Sequence, residues 1–234
     1  MKILNTYFIE GRLEIPMSDY IKENHNIVNR IRERGFYDEE TVHNIIDSTL
    51  ICHVSFIQDG RPFVIPTIHA RSGRTIYLHG AKASRLLGET GKGNELCLCF
   101  THVDGIVLAR SLYNSSMNYR SVVAFGKGRV ATIEEKLEAM KIMTEGLVPG
   151  RWEGARQPND KEMKSTSIVA IDIDHASAKI REGEADDFEE DIPGPWWAGV
   201  LPIESKILPP ISNSDLSSGI ETPDNVKKII GKIF

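Results

Sequence analysis

The sequence predicts a mainly β protein in which short antiparallel strands form a closed or partly closed barrel with flanking α-helices. From Leu50 onward apolar and polar residues alternate, as in "LICHVSFIQ", which is the period of a half-buried strand. Asp59-Gly60 then gives a strong hairpin signal. Six to eight such segments occur beside only two well-formed helical patterns, and closing the strands into a barrel removes exposed sheet edges.

The first half of the chain begins with a helix and continues with strands. In "YDEETVHNIIDS", Asp38 is the predicted N-cap, two glutamates follow it at the positive end of the helix dipole, and valine and isoleucine form one apolar stripe. Strands are predicted at 50–58, 62–70 and 75–80, and a short helix at 84–90.

The second half predicts further strands and one amphipathic helix. The long strand at 120–132 contains Gly126 and Gly128, which indicate a bulge or a bend. The remaining elements are strands at 94–100 and 105–113 joined by "THVDG", a helix at 133–147, and strands at 166–174 and 176–182.

The two ends of the chain differ in composition from the barrel segment. We expect an N-terminal extension at 1–34, the barrel domain at 35–205 and a C-terminal tail at 206–234. From about residue 183 the chain is acidic and then rich in Pro, Gly and Trp, and residues 209–225 are typical of a linker.

Composition excludes several classes of partner. The net charge of −5 argues against a nucleic-acid-binding protein, whose surface would be basic. No apolar run is long enough to span a membrane, so no membrane association is expected. Three cysteines cannot form a complete disulfide framework and fit the reducing cytoplasm.

The stretch "YLHGAKASRLLGETGKG", residues 77–93, places two cations and a hydroxyl directly after a strand. Lys82, Ser84 and Arg85 stand where a helix begins, so hydroxyl, guanidinium and backbone N–H groups would converge on a phosphate there. The same residues also suit a solvated surface turn, and from this stretch alone both interpretations stay open.

Two further segments carry chemistry that a barrel core does not need. "NSSMNYRS", residues 114–121, is dense in hydrogen-bonding groups just before a strand, as a polyhydroxy chain or a phosphate would require. It is also consistent with an ordinary polar loop. "PWWAGVLPI", residues 195–203, holds two adjacent tryptophans that either close the barrel or cover a flat ligand.

Taken together, these segments resemble the FMN-binding split-barrel proteins related to pyridoxamine 5′-phosphate oxidase, in particular the branch that includes nitroimidazole-resistance (Nim) proteins. The resemblance rests on "GRPFVIPT", "IYLHGAKASR", "GIVLARS", "NYRSVVAFGKG", "PGRW", "SAKIREG" and "WWAGVLPI", in this order, over roughly residues 35–205. It implies a six-stranded antiparallel split β-barrel with Greek-key connections. It also implies a homodimer with FMN at the subunit interface and a small-molecule substrate.

The resemblance implies a set of cofactor-binding residues. Ser84 and Arg85, with Lys82, would hold the FMN phosphate beside the strand end at His79 and Gly80. The backbone of the preceding strand would line the flavin ring, and the polar segment and the tryptophans would complete the site. Those further residues are Ile65, Pro66, Thr67, Asn118, Tyr119, Arg120, Ser121, Trp196 and Trp197.

The resemblance leaves more than one function open. The cationic Arg-x-Val-Leu-Leu-Lys strand and the Arg-x-His pattern of the oxidase itself are both missing, so pyridoxamine phosphate oxidation is not expected. The leading hypothesis is an FMN-dependent oxidoreductase that reduces a small electron-poor acceptor, a nitroaromatic or a quinone, with His79 as the candidate catalytic residue. The alternatives are a non-catalytic FMN carrier or sensor, and a haem-binding split-barrel protein.

No metal site is predicted. "DIDHAS" offers Asp172, Asp174 and His175, but strand alternation divides these side chains between the two faces of a sheet.

Overall fold

The computed structural model describes residues 19–234 and consists of one antiparallel sheet of nine strands with five α-helices among them. The sheet is curved, and its inner face encloses the core. This confirms the predicted class, a mainly β protein with the split-barrel arrangement and flanking helices, although the sheet has nine strands where the patterns suggested six to eight, and β6 and β8 are longer than predicted. The predictions on residues 1–18 lie outside the described residues.

The elements follow one another in a β-rich order. The strands are β1 (Gly35–Phe36), β2 (Cys52–Gln58), β3 (Arg61–Thr67), β4 (Ala70–Ser72), β5 (Thr75–Ala81), β6 (Lys92–Leu108), β7 (Ser116–Val130), β8 (Thr166–Arg181) and β9 (Gly199–Pro202). The helices are α1 (Glu39–Ser48), α2 (Arg85–Thr90), α3 (Ile133–Leu147), α4 (Asp160–Ser165) and α5 (Asp224–Lys228).

Local sequence explains where the first elements begin and turn. The Asp38 side chain accepts a hydrogen bond from the backbone N–H of Thr41 and caps α1, as its position before two glutamates predicted. Asp59 and Gly60 both have positive φ, at 51° and 72°, which is the backbone that a two-residue hairpin turn requires. The hairpin of β2 and β3 is therefore fixed by the residues that signalled it.

The strand order along the sheet is β3-β2-β6-β7-β8-β5-β4, with β1 added to β8 and β9 added to β6. Two predicted breaks are wrong. "THVDG" lies inside β6 and produces only a register shift between Val103 and Gly105. The two strands predicted on either side of residue 175 are one strand, β8, because pairing along the full length of β7 continues through an irregularity.

The β7–β8 ladder contains a bulge. Phe125 pairs with His175 and Gly126 with Ile173, so Asp174 is an extra residue on β8. Glycine is required on the facing strand, because a Cβ at Gly126 would lie 2.1 Å from the carbonyl oxygen of Asp172. The irregularity predicted from the glycines of this strand is present at Gly126, but the extra residue lies on the facing strand β8.

The core lies between the curved sheet and the helices α1 and α2. Alternate residues of β2, β5, β6, β7 and β8 point into it, and Tyr20, from the segment before β1, is fully buried there. The largest fully buried side chains are Tyr20, Val42, Ile46, Val54, Ile76, Leu78, Leu96, Leu98, Phe100, Val107, Ile168 and Ile171.

The chain after β9 contains little regular structure apart from α5. Residues 208–223 hold neither helix nor strand, and an isolated bridge joins Lys206 to Ile233. In the part of the chain that the structure describes, no helix is both long and apolar enough to cross a bilayer.

Candidate functional site

The corner between β5 and α2 brings together five of the predicted site residues. The backbone N–H of Ser84 donates to the carbonyl of Ala81 at 2.9 Å, so the chain turns sharply before α2 begins at Arg85. Gly80 faces this turn, since a Cβ there would lie 3.9 Å from the Cβ of Ser84. His79, Gly80, Lys82, Ser84 and Arg85 thus share one corner, which we call the α2 corner.

The side chain of Ser84 is available for a ligand. Ser84 occupies the N-cap position of α2, yet its hydroxyl makes no capping hydrogen bond. The Arg85 guanidinium lies 5.1 Å from the ring centroid of Phe63 on β3, a cation–π contact, and it pairs with no acid in the described part of the chain. Phe63 in turn stacks on Phe56, with ring centroids 5.5 Å apart.

Positive charge at the α2 corner is not neutralised by any acid in the described residues. Lys82 and Arg85 are exposed and form no ion pair there. The ammonium of Lys136, on α3, donates to the carbonyls of Met163 and Thr166 close by. Burial and, secondly, the Lys82 charge lower the pKa of Lys136. Such an excess of cations favours an anionic ligand.

His79 is half-buried on β5, and its Nδ1 atom is buried without a hydrogen-bond partner among the described residues. Burial lowers the pKa of this imidazole, so the ring is neutral at pH 7. A neutral ring with an unpartnered nitrogen can donate a hydrogen bond to a ligand, or accept one, without bringing a charge. Its predicted role in catalysis stays a prediction.

Three predicted residues lie farther along the strand that carries Phe63. Ile65 packs against the core, whereas Pro66 is exposed on the outer face of β3. The hydroxyl of Thr67 donates to the carbonyl of Ile68 at 3.3 Å. This strand is at the edge of the sheet in the described chain, so its outer side is open to a ligand or a partner.

The predicted "NYRS" segment lies near the start of β7, and most of its polar side chains already form hydrogen bonds within the chain. Asn118 is buried, donates to the carbonyl of Gly183 at 3.0 Å and accepts from the Arg181 guanidinium. Arg120 makes two hydrogen bonds to the Asp104 carboxylate, at 2.8 and 3.0 Å, which raise its pKa. These contacts show a structural role for two of the four residues.

The other two residues of that segment are less constrained. The hydroxyl of Ser121 donates to the carbonyl of Lys179 at 3.3 Å, and Tyr119 is half-buried. Trp196 and Trp197 lie just before β9, with 59% and 65% of their surfaces exposed. Since β9 pairs with β6 at Gly105–Leu108 and β7 begins beside it, the tryptophans and this segment are at the same end of the sheet.

Apart from the three residues on β3, the predicted site residues form two groups at opposite ends of β8. Gly80 pairs with Ser167 near one end, and Ser121 pairs with Lys179 near the other. Twelve residues separate these positions, at most about 40 Å at 3.3 Å per residue. No hydrogen bond, ion pair or ring contact joins the groups within the described chain, so the fold of one chain does not bring them together.

A cavity of about 590 Å³ between α1, β4 and α3 was not anticipated from the sequence. His69 and Met143 are among the residues that line it, and Arg71 and Phe234 also contribute. Nε2 of His69 donates to the carbonyl of Ile46 at 3.0 Å, and Nδ1 has no partner among the described residues. Burial lowers the pKa of this histidine, which is therefore neutral at pH 7.

Comparison with known proteins gives a consistent picture. A sequence model of the pyridoxamine 5′-phosphate oxidase family matches residues 38–180. The flavocytochrome Anf3 from Azotobacter vinelandii is 36% identical, with a TM-score of 0.84 over 89% of this chain and 98% of that one. An FAD and haem binding protein from Mycobacterium smegmatis is 30% identical, with a TM-score of 0.81 over 85% and 98% of the two chains.

A more distant likeness concerns the fold alone. A candidate 5-nitroimidazole antibiotic resistance protein from Bacteroides thetaiotaomicron is 21% identical, with a TM-score of 0.53 over 62% of this chain and 86% of that one. Among functionally curated proteins no match was found.

We predict that Asn118→Ala destabilises the protein whereas Ser84→Ala does not. Without Asn118 the guanidinium of Arg181, which is 5% exposed, loses an acceptor, at a cost of about 1–3 kcal/mol. The Ser84 hydroxyl makes no hydrogen bond to any described residue, so its loss should change the free energy of unfolding by less than about 0.5 kcal/mol. Urea denaturation of protein freed of any bound flavin measures both, and equal losses would contradict the assignment.

Proposed function

The chain belongs to the pyridoxamine 5′-phosphate oxidase family, and on that premise we propose that it binds a flavin nucleotide by its phosphate at the α2 corner. The observation that carries the proposal is the set of cations that lack acidic partners within residues 19–234, around a Ser84 hydroxyl that does not cap its helix. A guanidinium, an ammonium and a hydroxyl are the donors that a phosphate takes. The names of the two relatives that are 30% or more identical support a flavin.

FMN and FAD share the phosphate that is joined to the ribityl chain, and the α2 corner is suited to that shared group. FMN follows from the sequence resemblance, and FAD is the flavin in the name of the M. smegmatis relative. We propose FMN. Chromatography of the flavin released from the purified protein by heat identifies which of the two is bound.

A redox role follows from the flavin. A bound flavin supplies one- and two-electron chemistry, and the protein supplies binding, orientation and electrostatics. We propose an oxidoreductase whose acceptor is a small electron-poor molecule, a nitroaromatic or a quinone, acting in the reducing cytoplasm that the three free cysteines suit. The neutral imidazole of His79 would hold or move a proton at the strand end. A carrier or sensor without turnover is the alternative, and reduction by NADH or NADPH separates the two.

The outer face of the sheet supports a homodimer. Ile57 and Val64, on β2 and the edge strand β3, are 61% and 60% exposed, and Val103 on β6 is 42% exposed. Between them Cys97 and Cys99 are only half-buried on the same face. An exposed apolar sheet face with a free edge favours association with another chain. A second chain would also allow one flavin to contact both groups of predicted site residues.

We predict that replacing Ser84 and Arg85 together by Ala weakens flavin binding by about 100-fold or more, because two hydrogen bonds to a charged group are lost. Quenching of flavin fluorescence during titration of flavin-free protein with FMN, and then with FAD, measures the affinity. Lys228→Ala, an exposed cation on α5 outside both groups of predicted site residues, is the matched control and should bind like the wild type. Wild-type protein that is colourless and binds neither flavin would refute the proposal.

We also predict that Ile57→Glu combined with Val64→Glu converts a dimer into monomers, because each buried carboxylate would lack a partner. Light scattering after size exclusion should give twice the chain mass of 26.2 kDa for the wild type and that mass for the variant. Ile211→Glu, at a residue that is 95% exposed in the tail, should remain dimeric. A wild-type protein that is already monomeric rules out the dimer.

Haem binding is a second candidate function. Both relatives that are 30% or more identical carry it in their names, one as a flavocytochrome. The cavity beside His69 fits the group, because an uncharged imidazole and a thioether, that of Met143, line the same space of about 590 Å³. These are the side chains by which haem iron is held in globins and cytochromes c. Arg71, on the same wall, already pairs with the Asp47 carboxylate and would have to exchange that partner for a propionate.

We predict that the purified protein develops a Soret band when hemin is added and that His69→Ala abolishes it. His53→Ala, an exposed histidine on β2, is the control and should leave the band unchanged. A Soret band that survives in His69→Ala would contradict this location, and no band at all would contradict haem binding.

A further inference from the structure

Three side chains from distant parts of the sequence meet on the outer surface of the barrel. Glu23, His25 and His175 each present one ligand atom, and these atoms all lie within 4.8 Å of one another. Nε2 of His175 is 3.3 Å from one oxygen of the Glu23 carboxylate, and Nδ1 of His25 is 3.6 Å from the other. The cluster contains two imidazoles and one carboxylate.

The segment that carries Glu23 and His25 is fixed to the barrel by a buried amide. Asn26 is 3% exposed, and its side-chain oxygen accepts from the backbone N–H of Glu23 at 2.7 Å. Its side-chain nitrogen donates to the carbonyl of Ile21 at 2.9 Å and to that of Ala176, on β8, at 3.2 Å. These hydrogen bonds hold the turn that carries Glu23 and His25 directly beside His175. The backbone positions of the three residues are therefore fixed without any contribution from flexible side chains.

The bulge in β8 directs His175 toward this turn. Ile173 and Ala176 are buried on the inner face, so regular alternation across four residues would leave only one of the two positions between them on the outer face. The extra residue Asp174 places itself and His175 outward together. The ring of His25 then meets that of His175 at 4.7 Å and that of Phe125 at 4.9 Å, both edge to face.

From this arrangement we propose that Glu23, His25 and His175 bind a divalent transition-metal ion of the zinc type. Ligand atoms at about 2.0–2.1 Å from a tetrahedral zinc ion are about 3.3–3.4 Å apart. The imidazole nitrogens lie 3.3 and 3.6 Å from the two different oxygens of the Glu23 carboxylate, and one ligand atom from each of the three residues lies within 4.8 Å of the others. Side-chain adjustment of the exposed Glu23 and His25 is needed to bring the three atoms to the separations of a tetrahedral ion.

The chemistry of the donors points to the same class of ion. Imidazole nitrogen with one carboxylate suits zinc, nickel and copper, whereas calcium and magnesium prefer oxygen alone. Neither histidine pairs with any other acid among the described residues, so no competing ion pair holds the cluster. Three protein ligands leave a coordination position for water, since Glu23 and His25 are exposed.

The cluster shares no residue with the α2 corner or with the lining of the cavity beside His69. It joins the segment before β1 to the middle of β8, so a bound ion would link residues far apart in sequence, as Asn26 already does. Binding to the folded state alone raises stability.

The test uses the full-length protein after removal of any polyhistidine tag and of metal by a chelator. Titration with zinc chloride against a chromogenic zinc indicator should give one ion per chain, and zinc should raise the melting temperature. His25→Ala and His175→Ala should each weaken zinc binding at least about tenfold, as loss of a ligand requires. Cobalt chloride in place of zinc should give the visible absorption of a tetrahedral ion.

His53→Ala is the matched control, because it removes an exposed histidine outside the cluster and should leave zinc affinity unchanged. Glu23→Gln keeps the size of the side chain and should weaken binding through loss of charge. His25 is exposed, so its variant should fold normally and keep the test valid if His175→Ala does not. The proposal is overturned if zinc does not bind to the wild-type protein. It is also overturned if both histidine variants bind zinc like the wild type, including the case in which those variants lose the hemin Soret band but keep their zinc affinity.

Discussion

The pairing of β7 with β8 is the constraint on which the other parts of the molecule depend. It runs from Tyr119 opposite Arg181 to Val130 opposite Val169, past one extra residue at Asp174. The two backbones approach so closely that Gly126 has no room for a side chain, and Gly128 is equally confined by the carbonyl of Thr90 at the end of α2. This close contact determines the bend of the sheet, the position of α2 and the outward direction of His175.

The same ladder sets the distance between the two groups of predicted ligand-binding residues. One group surrounds the Ser84 hydroxyl, where the cations have no acidic partner in the part of the chain that the structure describes. The other lies where Asn118 and Arg120 are already hydrogen-bonded. The positive charge that favours an anionic ligand is thus concentrated at the α2 corner. The far end offers aromatic surface from Trp196 and Trp197 and little free hydrogen-bonding capacity. The two ends have complementary chemistry, which a second chain of the same kind would allow to combine.

Local signals in the sequence were sufficient for the elements but not for their continuity. Asp38 and Asp59-Gly60 predicted a helix start and a hairpin because a cap and a turn depend on neighbouring residues alone. The continuity of β8 depends on its pairing with β7, a strand some 50 residues earlier. The bulge interrupts the alternation of apolar and polar residues, so the sequence pattern predicted two strands instead of one. The α2 corner was predicted for the same local reason, whereas Lys136 and Phe63 reach it only through folding.

The sites that the sequence did not suggest share one property, namely that their members come from segments distant in sequence. In the sequence His175 stands beside Asp172 and Asp174, but the residues that face it in the fold are Glu23 and His25. Likewise His69 is isolated in its strand pattern, and it meets Met143 only because α3 packs over β4. Such sites depend on tertiary packing and leave no spacing that a motif could record.

The contact of the Arg85 guanidinium with Phe63 connects the α2 corner to the edge strand β3. The guanidinium lies against a ring on the outermost strand, and Phe63 is itself stacked on Phe56 of the next strand. An anion at the α2 corner that drew the guanidinium away from this ring would remove that contact with the outermost strand. Were the packing of another molecule on that strand to depend on the same contact, binding at the two places would be coupled, and to the same extent in both directions.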